Sequence, residues 1–139
     1  MQRRTIADLV RDQKLLALPE TATVREAARA MRDRRVGCVL ITDDGRLEGI
    51  FTERDLVGRV VAEGRDPDGT RLAEVMTKGP DTIGPAATAI DALRRMQDGG
   101  YRHLPVLEGG KLLGIVSQRD FLGEEQARLN HETGLWERI

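Results

Sequence analysis

Aromatic residues are scarce in this chain: one Trp, one Tyr and two Phe, or 3% of 139 residues. A platform that stacks the bases of single-stranded nucleic acid needs more rings than that. Cysteine occurs once, so no disulfide can close within the chain, and one Cys with two His cannot by themselves build a zinc site. Charge of one sign is lacking too. The 22 basic residues meet 23 acidic ones for a net charge of −1, without the basic excess that binds a nucleic-acid backbone. No apolar run approaches the roughly 20 residues of a membrane-spanning helix. Met1-Gln2-Arg3-Arg4-Thr5 leads into Asp8 and Arg11 without an apolar signal core. The expectation is a soluble, cytoplasmic protein with neither nucleic acid nor membrane as partner. No nucleophile–base pair and no metal constellation stands out, which argues against catalysis.

What is present is globular composition, 40% apolar and 32% charged, arranged as a repeat. Residues 23–56 align with 88–121 at an offset of 65, with 11 of 34 pairs identical, among them Thr23/Thr88, Met31/Met96, Gly49/Gly114, Ile50/Ile115, Arg54/Arg119 and Asp55/Asp120. An offset of 66 extends the match upstream and pairs Ile6–Val10 with Leu72–Met76. The chain therefore divides into a first repeat (1–65), a linker of turn-forming residues (66–70), a second repeat (71–130) and a tail (131–139).

Each repeat reads alike. A short amphipathic turn precedes a short strand, Leu15–Leu18 in the first repeat and about Asp81–Ile83 in the second. A helix follows whose apolar positions, Val24, Ala27, Ala28, Met31 and Ala89, Ala92, Leu93, Met96, have the spacing of one buried face. Thr23 with Glu26 and Thr88 with Asp91 are capping boxes at the helix starts. Two strands joined by Asp43-Asp44-Gly45 or Glu108-Gly109-Gly110 form a hairpin. A second helix begins at Thr52 or Ser117, with Leu56, Val57, Val60 and Val61 as an apolar stripe in the first repeat. The order is helix–strand–helix–strand–strand–helix, twice, an α/β fold of the α+β kind. A three-stranded sheet with helices on one face leaves apolar surface bare, so neither half is expected to stand alone. The run Arg32-Asp33-Arg34-Arg35 reads as a solvated helix end, and Cys38 as a small core residue. Leu135, Trp136 and Ile139 form an apolar cluster that belongs to neither repeat.

The strand-to-helix junctions carry the chemistry. Gly49 and Gly114 let another group approach the backbone closely. Thr52 and Ser117 stand where a helix start presents N–H groups that attract phosphate, and Asp55 and Asp120, one turn on, can accept from both hydroxyls of a ribose. The same residues also read as plain capping boxes, and both roles can hold together. Arg54 and Arg119 lie in the first helical turn, where a cation opposes the helix dipole, so phosphate contact or an ion pair is expected. Arg102 and His103 replace Gly37 and Cys38 and offer a guanidinium fork and a titratable donor.

Gly49-Ile50-Phe51-Thr52-Glu53-Arg54-Asp55 and Gly114-Ile115-Val116-Ser117-Gln118-Arg119-Asp120, with Tyr101–Val106 entering the middle strand, resemble the cystathionine β-synthase (CBS) domain family over about 125 residues. The resemblance implies two tandem CBS repeats packed as an intramolecular pseudo-two-fold pair, a Bateman module. It implies regulatory binding of adenosyl ligands (AMP, ADP or ATP) in clefts between units, no catalytic cofactor, and homodimerisation or an unidentified regulated protein as the output. It places Arg102 and His103 at phosphates and the backbone at Leu16 and Ile83 against the adenine edge. Tyr101 either flanks the base or fills core. An NAD or S-adenosylmethionine sensor, or a ligand-free dimerisation scaffold, are the alternatives.

Overall fold

In the computed structural model, which describes residues 4–121, the chain runs through α1 (Ile6–Val10), β1 (Ala17–Leu18), α2 (Val24–Arg34), β2 (Cys38–Asp43), β3 (Arg46–Thr52) and α3 (Glu53–Asp55). A π-helical stretch (Leu56–Val61) extends α3, then come α4 (Leu72–Val75), β4 (Thr77–Lys78), α5 (Ala89–Gly99), β5 (His103–Glu108), β6 (Lys111–Ser117) and a 3₁₀ turn (Gln118–Asp120). The tail cluster of Leu135, Trp136 and Ile139 lies outside the described residues.

The helix starts follow from their caps. The hydroxyls of Thr23 and Thr88 accept N–H bonds from Glu26 and Asp91, and those carboxylates accept the threonine N–H groups. The reciprocal pair satisfies donors that a helix start otherwise leaves open. The hairpin turns also follow from their residues. Asp44 and Gly45 have φ of 52° and 81°, and Gly109 and Gly110 have φ of 57° and 82°. Two successive positive φ values make the type I′ turn whose twist suits a hairpin. Both hairpins carry a bulge at the same place, after Ile41 and after Val106.

The chain forms two compact units whose limits differ from those of the repeats. Residues 14–80 make one; residues up to Gln13 join those from Asp81 onward to make the other. Each repeat thus lends its opening helix to the other's sheet.

In the unit of residues 14–80 the sheet order is β1-β2-β3-β4, with β1 parallel to β2 and the other pairs antiparallel. Cys38, Val39, Leu40 and Ile41 are all buried, so β2 is covered on both faces. Val24, Ala27 and Met31 of α2 pack with Val39, Ile41 and Phe51. Strand β1 is shorter than the expected Leu15–Leu18, and β4 has no counterpart in the sequence pattern. The stripe expected after Asp55 is corrected. Val60 is fully buried, but Val57 and Val61 are 63% and 66% exposed. Leu56 and Val60 pack against the core cluster, and Val57 and Val61 lie on the open side of the segment. The winding is π: Ala62 and Arg65 N–H groups bond the carbonyls of Val57 and Val60, five residues back.

In the other unit β5 and β6 pair antiparallel, and Ile6 and Val10 of α1 are buried with Leu104, Val106 and Val116. The strand expected at Asp81–Ile83 reduces to one residue. Ile83 bridges β5 in parallel, with its N–H on the Pro105 carbonyl and its carbonyl on the Leu107 N–H, both at 3.0 Å.

Candidate functional site

The two junctions that end β3 and β6 are built alike. In the unit of residues 14–80, Glu53 N–H bonds the Gly37 carbonyl at 3.0 Å; in the other, Gln118 N–H bonds the Arg102 carbonyl at 2.9 Å. Thr52 lies opposite Cys38 in the β2–β3 pair, and Ser117 opposite His103 in the β5–β6 pair. The structure therefore brings Thr52, Arg54 and Asp55 to one sheet end, and Arg102, His103, Ser117, Arg119 and Asp120 to the equivalent end of the other unit.

The capping reading of both motifs is realised. Thr52 N–H bonds Asp55 Oδ2 at 3.0 Å and Asp55 N–H bonds Thr52 Oγ1 at 3.2 Å. Ser117 N–H bonds Asp120 Oδ2 at 2.7 Å. Each cap occupies one carboxylate oxygen. At Asp55 the other, Oδ1, lies 3.6 Å from the Arg59 guanidinium, and the side chain is 14% exposed. Asp120 is exposed, as are Arg54, Arg102 and Arg119, while His103 and Ser117 are half-buried. The caps hold each carboxylate at a fixed place beside the junction, where its remaining lone pairs point away from the N-cap N–H.

Leu16 and Ile83 join the middle strands through their backbones, further along from those ends. Leu16 carbonyl accepts from Leu40 N–H at 2.9 Å, two residues along β2 from Cys38, and Ile83 pairs with Val106, three residues along β5 from His103, as Leu18 pairs with Ile41 in the other unit. Tyr101 packs against the core of its unit and its hydroxyl donates to Asp81 Oδ2 at 2.7 Å. Burial, and then this bond to a carboxylate, push the phenol up to about 12.

The glycines face elsewhere. A Cβ on Gly49 would lie 2.7 Å from the Thr77 carbonyl oxygen and 2.8 Å from Met76 Sδ; one on Gly114 would lie 2.6 Å from Gln13 Oε1 and 2.7 Å from Val10 Cβ. The group that approaches each glycine is thus the protein's own chain. At Gly49 it is β4, paired to Gly49 and Ile50. At Gly114 the sheet has no strand in that position. The Gln13 side-chain amide stands in for one, donating to the Ile115 carbonyl at 2.9 Å and accepting its N–H at 2.7 Å.

Arg59, beside Asp55, escaped the sequence reading, as did two further residues of this region. Gln13 is one. Arg4 is the other, and its guanidinium donates to the Asp120 carbonyl at 3.1 Å. The available signal was the repeat itself: at an offset of 66, Gln13 and Arg4 answer to Gly79 and Thr70. Among the described residues no three His, Cys, Asp or Glu side chains gather as a metal cage, and no helix is long and apolar enough to cross a membrane.

Comparison with known proteins agrees with this arrangement. A family model described as CBS domain matches residues 6–62 and 72–126. A CBS domain-containing protein of Arabidopsis thaliana is 42% identical over 81% of this chain, though the match covers 20% of that longer protein. The chain spans about a fifth of the length of the Arabidopsis relatives it matches. Among solved structures, a CBS-domain containing protein of Agrobacterium tumefaciens superposes with a TM-score of 0.79 at 32% identity, covering 86% of this chain and 91% of its own. A CBS domain protein of Pyrobaculum aerophilum, complexed with AMP, superposes with a TM-score of 0.81 at 28% identity, covering 91% and 98%.

Proposed function

The chain belongs to the CBS domain family, with two copies in tandem, and on that premise we propose that it is a non-catalytic regulatory module that binds an adenine nucleotide, of the AMP, ADP and ATP class, at the junctions ending β3 and β6. One observation carries the reading: the Thr52–Asp55 and Ser117–Asp120 junctions are duplicated in the same backbone geometry, each with a carboxylate held beside a strand end by its cap. The AMP complex of the Pyrobaculum relative supports the ligand class. In this reading Asp55 and Asp120 accept the ribose hydroxyls, Thr52 and Ser117 flank the phosphate, and Arg102 and His103 contact it in the unit that contains β6. The backbones at Leu16 and Ile83 meet the adenine edge. A ligand so held signals through its different affinities for two states of the module, read out as homodimer formation or by a separate protein.

Calorimetry tests this with adenosine, AMP, ADP, ATP, NAD and S-adenosylmethionine. Asp55→Ala and Asp120→Ala should each abolish one class of site and leave the other. Absence of binding heat and of thermal shift with all six would refute the reading and leave a ligand-free scaffold.

A further inference from the structure

Asp55 is held at both of its carboxylate oxygens. Oδ2 accepts the Thr52 N–H at 3.0 Å, and Oδ1 lies 3.6 Å from Arg59 Nε. Arg59 is itself anchored, because its Nη1 donates to the Val75 carbonyl at 2.9 Å. One guanidinium thus joins the carboxylate that ends α3 to the last residue of α4. All of these residues belong to the unit of residues 14–80.

The arrangement goes beyond what a helix cap requires. Thr52 and Asp55 complete the capping box between themselves, through bonds of 3.0 and 3.2 Å, and Arg59 takes no part in it. The ion pair also adds little to folding: the Arg59 side chain is 47% exposed, and exposed pairs are worth little. Its effect is geometric. A carboxylate held at one oxygen can still turn about that contact; held at both, its plane is fixed. An ionised carboxylate has about four lone pairs. The Thr52 N–H and Arg59 engage one on each oxygen, which leaves about two, the number that two neighbouring ribose hydroxyls use.

Arginine suits this task. Its planar guanidinium sends N–H groups in fixed directions and so serves a carboxylate and a carbonyl together, whereas a lysine ammonium is a point charge on a flexible stem. The residue is also outside the repeated motif. At an offset of 65, Arg54 and Asp55 answer to Arg119 and Asp120, but Arg59 answers to Glu124.

We propose that Arg59 is a positioning residue of the β3 junction, fixing the plane of the Asp55 carboxylate so that the two adjacent hydroxyls of an intact ribose are recognised there. The inference rests on the nucleotide-binding reading above and adds to it the source of ribose discrimination. Arg59 acts through Asp55 and through its anchor on Val75.

The test uses the full chain carrying Asp120→Ala, so that binding reports the β3 junction. Affinities for AMP and for 2′,3′-dideoxy-AMP, which lacks both hydroxyls, are measured by calorimetry with and without Arg59→Met and Arg59→Lys, and thermal unfolding of each variant is recorded. Methionine keeps an unbranched apolar stem and removes the guanidinium. The expected result is a parent that prefers AMP. In Arg59→Met the AMP affinity falls about ten-fold while the dideoxy affinity and the unfolding temperature stay close to the parent's, and lysine restores part of the loss. Equal losses for both nucleotides would mean that Arg59 only braces α3 against α4, and would overturn the proposal while the nucleotide reading stands. An unchanged preference in Arg59→Met, or no preference in the parent, would overturn it as well. If the Asp120→Ala chain binds neither nucleotide while the unsubstituted chain binds AMP, the ligand uses the β6 junction alone and the proposal falls. If the unsubstituted chain binds no nucleotide, the nucleotide reading fails and the proposal falls with it.

Discussion

Gly49 offers a test of what lies beside a strand. The structure puts the Thr77 carbonyl oxygen 2.7 Å and Met76 Sδ 2.8 Å from where an alanine Cβ would stand. Non-bonded heavy atoms settle at about 3.5–4.0 Å, so Gly49→Ala must displace its neighbours by more than half an ångström. The Met76 side chain can turn away, but the Thr77 carbonyl is backbone. It belongs to β4, a strand of two residues held to β3 by the Gly49–Lys78 and Ile50–Thr77 pairs, with Gly79 N–H on the Glu48 carbonyl at 3.2 Å beyond them. Either β4 strains or it detaches. Overpacking costs about 1–3 kcal/mol, and each backbone bond lost about 1 kcal/mol. Set against these, replacing a strand glycine by alanine recovers about 0.5–1 kcal/mol of chain entropy. The expected net loss is about 1–2 kcal/mol, or a fall in Tm of about 4–8 °C for a domain of this size, read by thermal and urea unfolding of the ligand-free protein.

Gly114→Ala meets Gln13 Oε1 at 2.6 Å and Val10 Cβ at 2.7 Å. A Cβ cannot swing aside as a chain end can, so the loss should match or exceed that at Gly49. Gly58, where an added Cβ would meet nothing within 4 Å, is the control: Gly58→Ala should stabilise by about 0.5–1 kcal/mol. If Gly49→Ala unfolds within about 0.5 kcal/mol of the parent, β4 does not close against it. If that variant also loses nucleotide binding, the space beside Gly49 serves a ligand instead, and the packing argument is wrong.

Two further expectations concern single residues. Arg35 ends α2 at φ 54°, the left-handed region, where its repeat partner Gly100 ends α5 at φ 74°. That conformation costs a residue with a Cβ about 1–2 kcal/mol, so Arg35→Gly should stabilise by about 0.5–1 kcal/mol and Gly100→Ala should destabilise by a similar amount, measured by denaturant unfolding; opposite signs would refute the cap assignment. Tyr101 is the chain's one tyrosine, so near-ultraviolet phenolate absorbance reports it alone, and it should titrate near pH 12, with Asp81→Asn lowering the midpoint toward the ordinary 10. Because its folded pKa is raised, the stability it contributes is complete below pH 10 and is lost as pH rises from 10 through about 12; a midpoint at 10 in the folded protein would contradict the bond to Asp81.

The parts of the fold that were legible in the sequence are those decided within a few residues. Thr23 needs only Glu26, three positions on, to start α2; Asp44 and Gly45 need only each other to turn the hairpin. The parts that were not legible are settled by partners far along the chain. β4 is a Thr and a Lys with no pattern of their own, and it exists because Gly49 leaves an opening for it. Gln13 imitates a strand with a side-chain amide, which no strand propensity encodes. The exchange of α1 and α4 between units is likewise invisible to periodicity, which records that a helix has an apolar face but not which sheet receives it. At the candidate site the two kinds of information separate. The bonds from Gln118 to Arg102 and from Glu53 to Gly37 run through backbone atoms, as do those from Ala89 to Arg4 and from Val24 to Thr70. Backbone bonds of this kind do not depend on the side chain, so they leave the residues at positions 37 and 102 open, whereas Thr70, 4% exposed, is constrained by its burial. The divergence between Gly37 and Arg102 is then not demanded by these bonds. It marks the positions at which two copies of one scaffold have been given different surfaces for charge, and there the function is to be sought.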